Sequence, residues 1–326
     1  MQSRFILPAR FITWSIYKVP FIAIFATIIG AIACYREPLA IRDTTLLNSK
    51  TYSPYLVVLT LFTLLTLSAT ARSADEYPEL RKSIDPALQE QLETLIRNKG
   101  LEKAVQQKRL AIALADISDA YKPRVAAING DVMEYAASLP KIAILLTAFV
   151  QIEQGKLELD EKLEADLISM TRKSDNPAAT RVLDLVGREE LLRTLGSPRF
   201  MLYDRRYGGG LWVGKAYARD GAYQRDPVNQ ISHGITAIQG ARFYYLLDTD
   251  RLVGPELTLK MKQILTNPAI DHTFVKGLKV RPGVKLYRKS GTWKQFHADS
   301  ALVEYRGHKY IIVGLAEDSQ GGKWLE

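Results

Sequence analysis

The chain has 326 residues, 47% of them hydrophobic and 24% charged, a length and balance that predict one large or two modest globular domains. Its single cysteine, Cys34, excludes an intrachain disulfide, and its four histidines lack the spacing of a metal site, so we expect no cofactor and no metal. Residues 1–71 account for +4 of the net charge of +9, and the mild basicity of about +5 in the rest of the chain suits contact with anionic envelope polymers. No basic patch interleaved with aromatic residues indicates nucleic-acid binding.

Two apolar stretches precede the globular part of the chain. The first, between Lys18 and Arg36, is uncharged but short for a membrane span. The second follows Lys50, has an apolar core over residues 55–67 and ends in Ala69-Thr70-Ala71. A positive flank, an apolar centre and a small-x-small ending are typical of a secretory signal, cleaved here after Ala71.

These features predict three segments. We interpret residues 1–50 as an over-extended N-terminus, residues 51–71 as a signal peptide, and residues 75–326 as the functional domain. A membrane anchor is the alternative for the second segment, since its length alone permits one. We therefore expect a monomeric domain exported to the periplasm, with membrane contact only through the N-terminal segment.

After residue 80 the chain alternates helical and extended patterns. Amphipathic periodicity with capping residues predicts the helices, and β-rich runs bounded by turn residues predict the strands. Two strands before the helices and three after them predict an α/β (α+β) fold. One five-stranded antiparallel sheet, built from both chain ends and flanked by helices, would carry an inserted all-helical subdomain. The predicted helices lie at 86–99, 138–155, 160–172, 178–186, 235–247 and 255–265, the strands at 109–117, 124–128, 285–290, 297–305 and 309–317, and a long ordered loop at 197–232.

Ser138 and Lys141 open the predicted buried helix with a serine and a lysine three residues apart. That offset puts both side chains on one helical face, where the amine can reach the hydroxyl that it would deprotonate. The helix start also supplies backbone N–H groups and a positive dipole end, which favour a developing oxyanion. A serine followed by Pro140 in the first turn is equally an ordinary capping pattern, so this motif alone leaves both interpretations open.

Two later stretches also have purely structural interpretations. Asn176 as N-cap and Pro177 as the first helical residue explain Ser174-Asp175-Asn176-Pro177 without any function. Lys289-Ser290-Gly291-Thr292, on the first strand of the final meander, is by itself a strand end with a glycine. Together, however, S-x-x-K, S-D-N and K-[ST]-G occur in that order on a helix, in a loop before a helix and on a strand.

This ordered set resembles the motifs of class A β-lactamases and penicillin-binding proteins, and the resemblance extends over roughly residues 80–320. It implies an active-site-serine hydrolase that forms an acyl-enzyme with a β-lactam or with a peptidoglycan-peptide-like substrate. The implied catalytic residues are Ser138, Lys141, Ser174 and Lys289, and the implied substrate-binding residues are Asn176, Ser290, Gly291 and Thr292.

The resemblance also assigns a role to each catalytic group. Ser138 attacks the substrate carbonyl, Lys141 is its general base, and Ser174 passes the proton to the leaving nitrogen. Lys289 places positive charge near the substrate carboxylate and helps to keep Lys141 neutral, because like charges depress each other's pKa. The backbone N–H groups of Ser138 and Thr292 would form the oxyanion hole.

Two departures from the family pattern bear on the activity. Class A β-lactamases carry a glutamate that activates the deacylating water in the loop before the K-[ST]-G strand, whereas residues 199–218 contain no glutamate. Asp204 is the only acid in that span. It either takes the place of the glutamate with a side chain one methylene shorter, or it forms a salt bridge that anchors the loop. The interval from Lys141 to Ser174 is also shorter than in class A enzymes, which predicts an open cleft suited to a larger ligand.

The resemblance therefore predicts an enzyme that is acylated by β-lactams or D-alanyl-peptide-like amides and is slow to deacylate. One alternative is a DD-peptidase or esterase acting on cell-wall or small ester substrates, and another is a non-catalytic cell-wall binding protein that keeps the cleft. Nucleotide binding is not expected. Residues 209–216 nearly spell a phosphate-binding loop but end in Ala216, where a hydroxyl would be needed for magnesium.

Overall fold

The structure, a computed structural model, describes residues 77–219, 221–278 and 282–326. The segments interpreted as an over-extended N-terminus and a signal peptide lie outside these residues. Within the described ranges, no helix combines the length and the apolar character that crossing a membrane requires.

The described residues form ten α-helices and ten strands. The helices are α1 (Pro86–Asn98), α2 (Glu102–Gln106), α3 (Lys141–Glu153), α4 (Glu161–Arg172), α5 (Asn176–Val186), α6 (Arg188–Gly196), α7 (Ala237–Asp248), α8 (Pro255–Leu265), α9 (Phe274–Leu278) and α10 (Gly321–Trp324). The strands are β1 (Leu110–Asp116), β2 (Arg124–Ile128), β3 (Met133–Tyr135), β4 (Tyr203–Asp204), β5 (Gly209–Gly210), β6 (Trp212–Val213), β7 (His233–Thr236), β8 (Lys285–Trp293), β9 (Phe296–Tyr305) and β10 (His308–Glu317).

The main sheet has five antiparallel strands in the order β2-β1-β10-β9-β8. Two of its strands precede the helical block and three follow it, and the two groups join where β1 pairs with β10. The register places Ala113 opposite Val313 and Lys289 opposite Ser300. The predicted α/β (α+β) fold, with one sheet built from both chain ends, is therefore confirmed.

Each face of this sheet contributes to its own apolar cluster. Ala111 and Ala113 of β1 belong to the larger cluster, which also contains Phe243 of α7. Leu110 of the same strand belongs to the second cluster, together with Leu92 of α1. Because successive side chains of a strand point to opposite faces, this alternation places helices on both sides of the sheet.

Helix α3 passes through the core and is apolar on nearly every side. All of its residues from Lys141 to Gln151 are buried. A helix with this pattern belongs inside a protein rather than on its surface. It contacts α4, α5, α6 and α8, which form the inserted helical block. Lys141 is the one basic residue in this buried run, so its amine needs polar partners supplied by the protein.

Several regions differ from the sequence prediction, which did not include α2, α6, α9 or β3. Ile235 and Thr236 belong to β7 rather than to a helix, because β7 pairs with β3 and β6 in a three-stranded sheet. Thr236 then caps α7, and its hydroxyl accepts a hydrogen bond from the N–H of Gln239 at 3.3 Å. The long loop over 197–232 contains the short strands β4, β5 and β6 and one turn of 3-10 helix at Arg205–Tyr207.

Candidate active site

The amine of Lys141 lies in a polar cluster inside the domain. Its Nζ donates hydrogen bonds to the carbonyl oxygen of Ser174 at 2.6 Å and to Oδ1 of Asn176 at 2.7 Å, and the hydroxyl of Ser174 lies 3.4 Å away. Burial lowers the pKa of Lys141 from 10.5 to about 7, against the opposing charge of Asp175. Near neutral pH a large part of this amine is therefore uncharged and able to accept a proton.

Asp175, and not Asn176, caps helix α5. The expectation that Asn176 is the N-cap was wrong, because the carboxylate of Asp175 accepts a hydrogen bond from the N–H of Ala178 at 2.8 Å. The hydroxyl of Ser169 donates to the same carboxylate at 3.2 Å. Since Asp175 satisfies the helix end, the amide oxygen of Asn176 is available to the Lys141 amine.

Ser174 joins the two lysines of the site. Its backbone has a φ of +60°, a left-handed conformation that is uncommon outside glycine and persists only where the surroundings hold it. Its carbonyl oxygen accepts from Lys141, and its hydroxyl accepts from Nζ of Lys289 at 3.0 Å. One hydroxyl thus lies between two buried amines, a geometry suited to proton transfer.

Lys289 is 1% exposed on β8, and its amine also donates to the carbonyl oxygen of Ser290 at 2.6 Å. Burial lowers the pKa of Lys289 well below its usual 10.5, and the positive charges of Lys141 and Arg288 lower it further. Burial is therefore the leading cause of the low pKa of both lysines, whereas the family resemblance had emphasised their mutual repulsion.

A buried ion pair fixes β8 beside Lys289. Arg288 donates from Nε and Nη2 to the two carboxylate oxygens of Asp299 at 2.7 and 2.8 Å, and the two side chains are 1% and 0% exposed. Asp299 also accepts from the backbone N–H groups of Phe274 at 3.1 Å and Ser300 at 2.9 Å. A buried ion pair is tolerated when its remaining hydrogen-bonding groups are satisfied in this way.

Gly291 brings β8 against the turn that carries Ser138. An added Cβ would lie 2.1 Å from the carbonyl oxygen of Ala136 and 2.6 Å from the backbone nitrogen of Ser138, so glycine alone allows this approach. Ser138 lies in the turn before α3 rather than in the helix, and the N–H of Lys141 donates to its carbonyl oxygen at 3.3 Å. The residue is half-buried, and among the described residues its hydroxyl has no hydrogen-bond partner.

The other two predicted residues of this strand differ in exposure. Ser290 is 4% exposed and lies between Lys289 and Gly291. Thr292 is exposed near the end of β8, where it pairs with His297 of β9. The K-S-G-T stretch therefore runs from the buried amine to the solvent, past the Ser138 turn.

Asp204, the acid of the long loop, is engaged elsewhere. Its carboxylate accepts from the guanidinium of Arg206 at 2.7 Å and from the backbone N–H of the same residue at 3.0 Å. The side-chain hydrogen bond to Arg206 holds the pKa of Asp204 below its ordinary value. These contacts are those of a salt-bridged loop anchor, and the hydrogen bonds of Asp204 within the described residues do not join it to either lysine.

Tyr217 belongs to the cluster but was not identified from the sequence. Its ring centroid lies 4.5 Å from Nζ of Lys141, and its hydroxyl donates to the carbonyl oxygen of Ala137 at 3.3 Å. The residue comes from the non-periodic part of the 197–232 loop, where no pattern distinguishes one tyrosine from another. Only the folded arrangement brings it beside Lys141.

A family model described as the beta-lactamase enzyme family matches residues 87–168 and 165–323, which together span most of the chain. The chain belongs to this beta-lactamase enzyme family. A search of curated proteins finds no match.

Several solved structures share the beta-lactamase fold of this chain. PBP-A is 17% identical over 76% of this chain and 94% of its own, with a TM-score of 0.55. A beta-lactamase from Sphaerobacter thermophilus DSM 20745 is 15% identical over 70% of this chain and 92% of its own, also with a TM-score of 0.55. A variant of the class A beta-lactamase of the last common ancestor of Gram-negative bacteria is 21% identical over 73% of this chain and 94% of its own, with a TM-score of 0.56.

Gly291→Ala is expected to lower the free energy of unfolding of this beta-lactamase-family protein by about 1–3 kcal/mol, because the new Cβ would overlap the backbone of the Ser138 turn. Denaturant titration of the purified protein measures the change. Gly196→Ala is the matched control, since a Cβ there meets no atom within 4 Å. An equal effect of the two substitutions would contradict the close approach of β8 to the turn.

Proposed function

We propose that this chain is an exported serine hydrolase whose Ser138 is acylated by β-lactams or by D-alanyl-peptide-like amides, and whose acyl-enzyme is hydrolysed slowly. The observation that carries the proposal is the pair of buried amines joined through the hydroxyl of Ser174, beside the turn that holds Ser138. Buried groups with strongly shifted pKa values next to a candidate nucleophile are typical of catalytic sites.

In the acylation step the hydroxyl oxygen of Ser138 attacks the substrate carbonyl carbon, and its proton passes to the neutral amine of Lys141. The tetrahedral intermediate then collapses as the C–N bond breaks, and the leaving nitrogen takes a proton from the hydroxyl of Ser174. Ser174 regains a proton from Lys141, directly or by way of Lys289. The distances of 3.4 and 3.0 Å from its hydroxyl to the two amines support this relay.

The oxygen of the attacked carbonyl becomes negatively charged and requires hydrogen-bond donors in place before the reaction. We assign this role to the backbone N–H groups of Ser138 and Thr292. The close approach of Gly291 supports the assignment, since a Cβ added there would lie 2.6 Å from the backbone nitrogen of Ser138 and the end of β8 therefore lies at the turn of the proposed nucleophile. Thr292 follows Gly291 directly on this strand.

Slow hydrolysis of the acyl-enzyme is proposed because residues 199–218 contain no glutamate that could activate water. Deacylation requires a base that takes a proton from the attacking water. Asp204 is the only acid in residues 199–218, and it forms a salt bridge with Arg206. The L158E mutant of PBP-A, a protein of the same fold, is described as an acyl-enzyme complex with penicillin-G. Penicillin G is therefore the first reagent to test on the present chain.

Incubation with penicillin G is expected to add one penicilloyl group to Ser138 and to leave an adduct that persists well beyond a catalytic turnover. Intact-mass analysis followed by peptide mapping measures both the site and the lifetime. Ser138→Ala should abolish the adduct, whereas Ser319→Ala, at an exposed serine in the turn after β10, should not change it.

Other outcomes of this experiment assign other functions. Rapid loss of the adduct with release of hydrolysed penicillin would indicate an efficient β-lactamase. An adduct with an activated ester but not with penicillin would indicate an esterase or peptidase. No adduct with either reagent would overturn the hydrolase proposal and favour a binding protein that keeps the cleft.

The rate of Ser138 acylation is expected to rise with pH through about 7 and then to level off, because the base must be the neutral amine of Lys141. Below that pH the rate should fall about tenfold per pH unit, since only the unprotonated fraction reacts. Rapid-mixing measurements of adduct formation across this range test the prediction. A rate that is flat, or that falls as pH rises, would exclude Lys141 as the base.

Export is proposed from the apolar stretch that ends at Ala71. The protein isolated from the cells that make it is then expected to begin at Arg72, which intact-mass analysis and N-terminal sequencing measure directly. A mature chain that still contains residues 2–50 would rule out both cleavage and the interpretation of residues 1–50 as an over-extended N-terminus.

A further inference from the structure

The side chain of Tyr217 contacts both the amine of Lys141, the proposed base, and the turn that carries Ser138, the proposed nucleophile. The face of its ring lies against the amine of Lys141, with 4.5 Å between the ring centroid and Nζ. Its hydroxyl donates to the carbonyl oxygen of Ala137, the residue before Ser138. Ala137 has a left-handed φ of +49°, so this hydrogen bond supports a strained turn at the nucleophile.

The ring of Tyr217 is fixed by a second aromatic side chain. The imidazole of His233 stacks on it with 4.4 Å between centroids and 29° between planes. Nε2 of His233 donates to the carbonyl oxygen of Lys215 at 3.0 Å, which ties the imidazole to the same loop. Burial lowers the pKa of His233 to about 4, so the stacked ring is neutral at physiological pH.

The loop that carries Tyr217 is itself pinned. The N–H of Gly214 donates to the carbonyl oxygen of Ser232 at 2.7 Å, and the indole of Trp212 donates to the carbonyl oxygen of Gln224 at 3.0 Å. A Cβ on Gly214 would lie 1.6 Å from that same Gln224 oxygen, so the two segments are in direct backbone contact. Tyr217 is therefore presented to Lys141 by a packed loop rather than by a freely moving one.

The chemistry of a phenol at this place differs from that of a carboxylate. Burial holds the pKa of Tyr217 well above 10, so its hydroxyl stays protonated and cannot take a proton from water. The ring face, on the other hand, occupies space next to the amine that a water molecule would need. Apolar surface that excludes water from a buried amine also prevents that amine from activating water as a nucleophile.

Hydrolysis of the acyl-enzyme requires a base that activates a water molecule. A water oxygen attacks the ester carbon on Ser138 while its proton passes to a base. The C–O bond to Ser138 then breaks, the serine oxygen regains the proton, and the free acid leaves. Lys141 is the buried base that could accept the first proton, and the Tyr217 ring covers it from the loop side.

We infer that Tyr217 is a positioning residue with two separable actions: its ring shields Lys141 from water in the acyl-enzyme, and its hydroxyl holds the Ala137–Ser138 turn for acylation. The inference rests on the proposed function and deepens it, because it names the group that makes deacylation slow. The ring sets the lifetime of the adduct, and the hydroxyl sets the rate at which the adduct forms.

Two substitutions separate these actions. Tyr217→Phe keeps the ring and loses the hydrogen bond, so acylation by penicillin G should slow about threefold to tenfold while the adduct lifetime stays within about twofold of the original. Tyr217→Ala loses both, so acylation should slow likewise and the adduct should disappear at least about tenfold faster. Rapid-mixing and intact-mass time courses on the full-length protein measure the two rates.

The control variant is Tyr223→Phe. The hydroxyl of Tyr223 donates to the carbonyl oxygen of Val213 at 2.6 Å, so this change removes one hydrogen bond from the same loop. Both rates should remain unchanged in this variant. In Tyr217→Ala, loss of the adduct should also accelerate with pH through the pKa of Lys141, a dependence that mere loosening of the loop would not produce.

The outcomes distinguish this inference from the proposed function. If the original protein is acylated but the adduct lifetime is unchanged in Tyr217→Ala, the role of Tyr217 is overturned and the hydrolase proposal remains intact. Equal effects of Tyr217→Ala and Tyr223→Phe also overturn it, since the loop as a whole would then be responsible. If Tyr217→Ala does not unfold cooperatively, Tyr217→Val, which removes the ring but keeps a small apolar side chain, replaces it. A shorter adduct lifetime is then expected, and an unchanged lifetime overturns the role of the ring. No adduct from penicillin G or an activated ester overturns both proposals.

Discussion

The rest of the candidate site depends on the hydrogen bonds between the buried amine of Lys141 and the turn at Ser174. Lys141 begins a helix that is apolar on nearly every side, so protein groups rather than water must satisfy its amine. The left-handed backbone of Ser174 and the capping of α5 by Asp175 meet this requirement, because the Ser174 carbonyl oxygen and Asn176 Oδ1 then accept from the amine. Lys289 reaches the same turn from the sheet. The polar cluster is thus the meeting point of the helical block and the main sheet.

Adjacent basic residues on β8 have opposite environments. Arg288 is paired with both oxygens of Asp299, so its charge is compensated inside the core. The hydrogen bonds of the Lys289 amine within the described residues go to uncharged acceptors, the Ser174 hydroxyl and the Ser290 carbonyl. Side chains alternate along a strand, so one residue anchors the sheet while its neighbour contributes to the site. An anchored strand is what allows Gly291 to be held against the backbone of the Ser138 turn.

The sequence predicted those parts of the molecule that depend on local pattern. Strong periodicity and an N-terminal proline located α8, and the ordered motifs indicated the three segments that meet around Ser174. The choice between Asp175 and Asn176 as the cap could not be made from sequence, since both residue types cap helices well and the turn geometry decides. Ile235 and Thr236 belong to a strand because β3 and β6 pair with it. This pairing depends on tertiary structure, so the local sequence pattern did not indicate it. Tyr217 was missed because a loop without periodicity gives no sign of what it packs against.

The strand order of the main sheet has a consequence for the newly made protein. The segment that carries Ser138 is synthesised long before β8, β9 and β10. Until β10 is made, β1 has only β2 as a neighbour in the main sheet and keeps one edge unpaired. Pairing over so long a sequence separation is slow to form. A nascent chain therefore contains Ser138 and Lys141 but lacks the amine of Lys289 and the backbone of Gly291. In the proposed mechanism the groups around Ser138 come together only when synthesis is almost finished, so a chain that stops before β8 is expected not to react with acylating compounds.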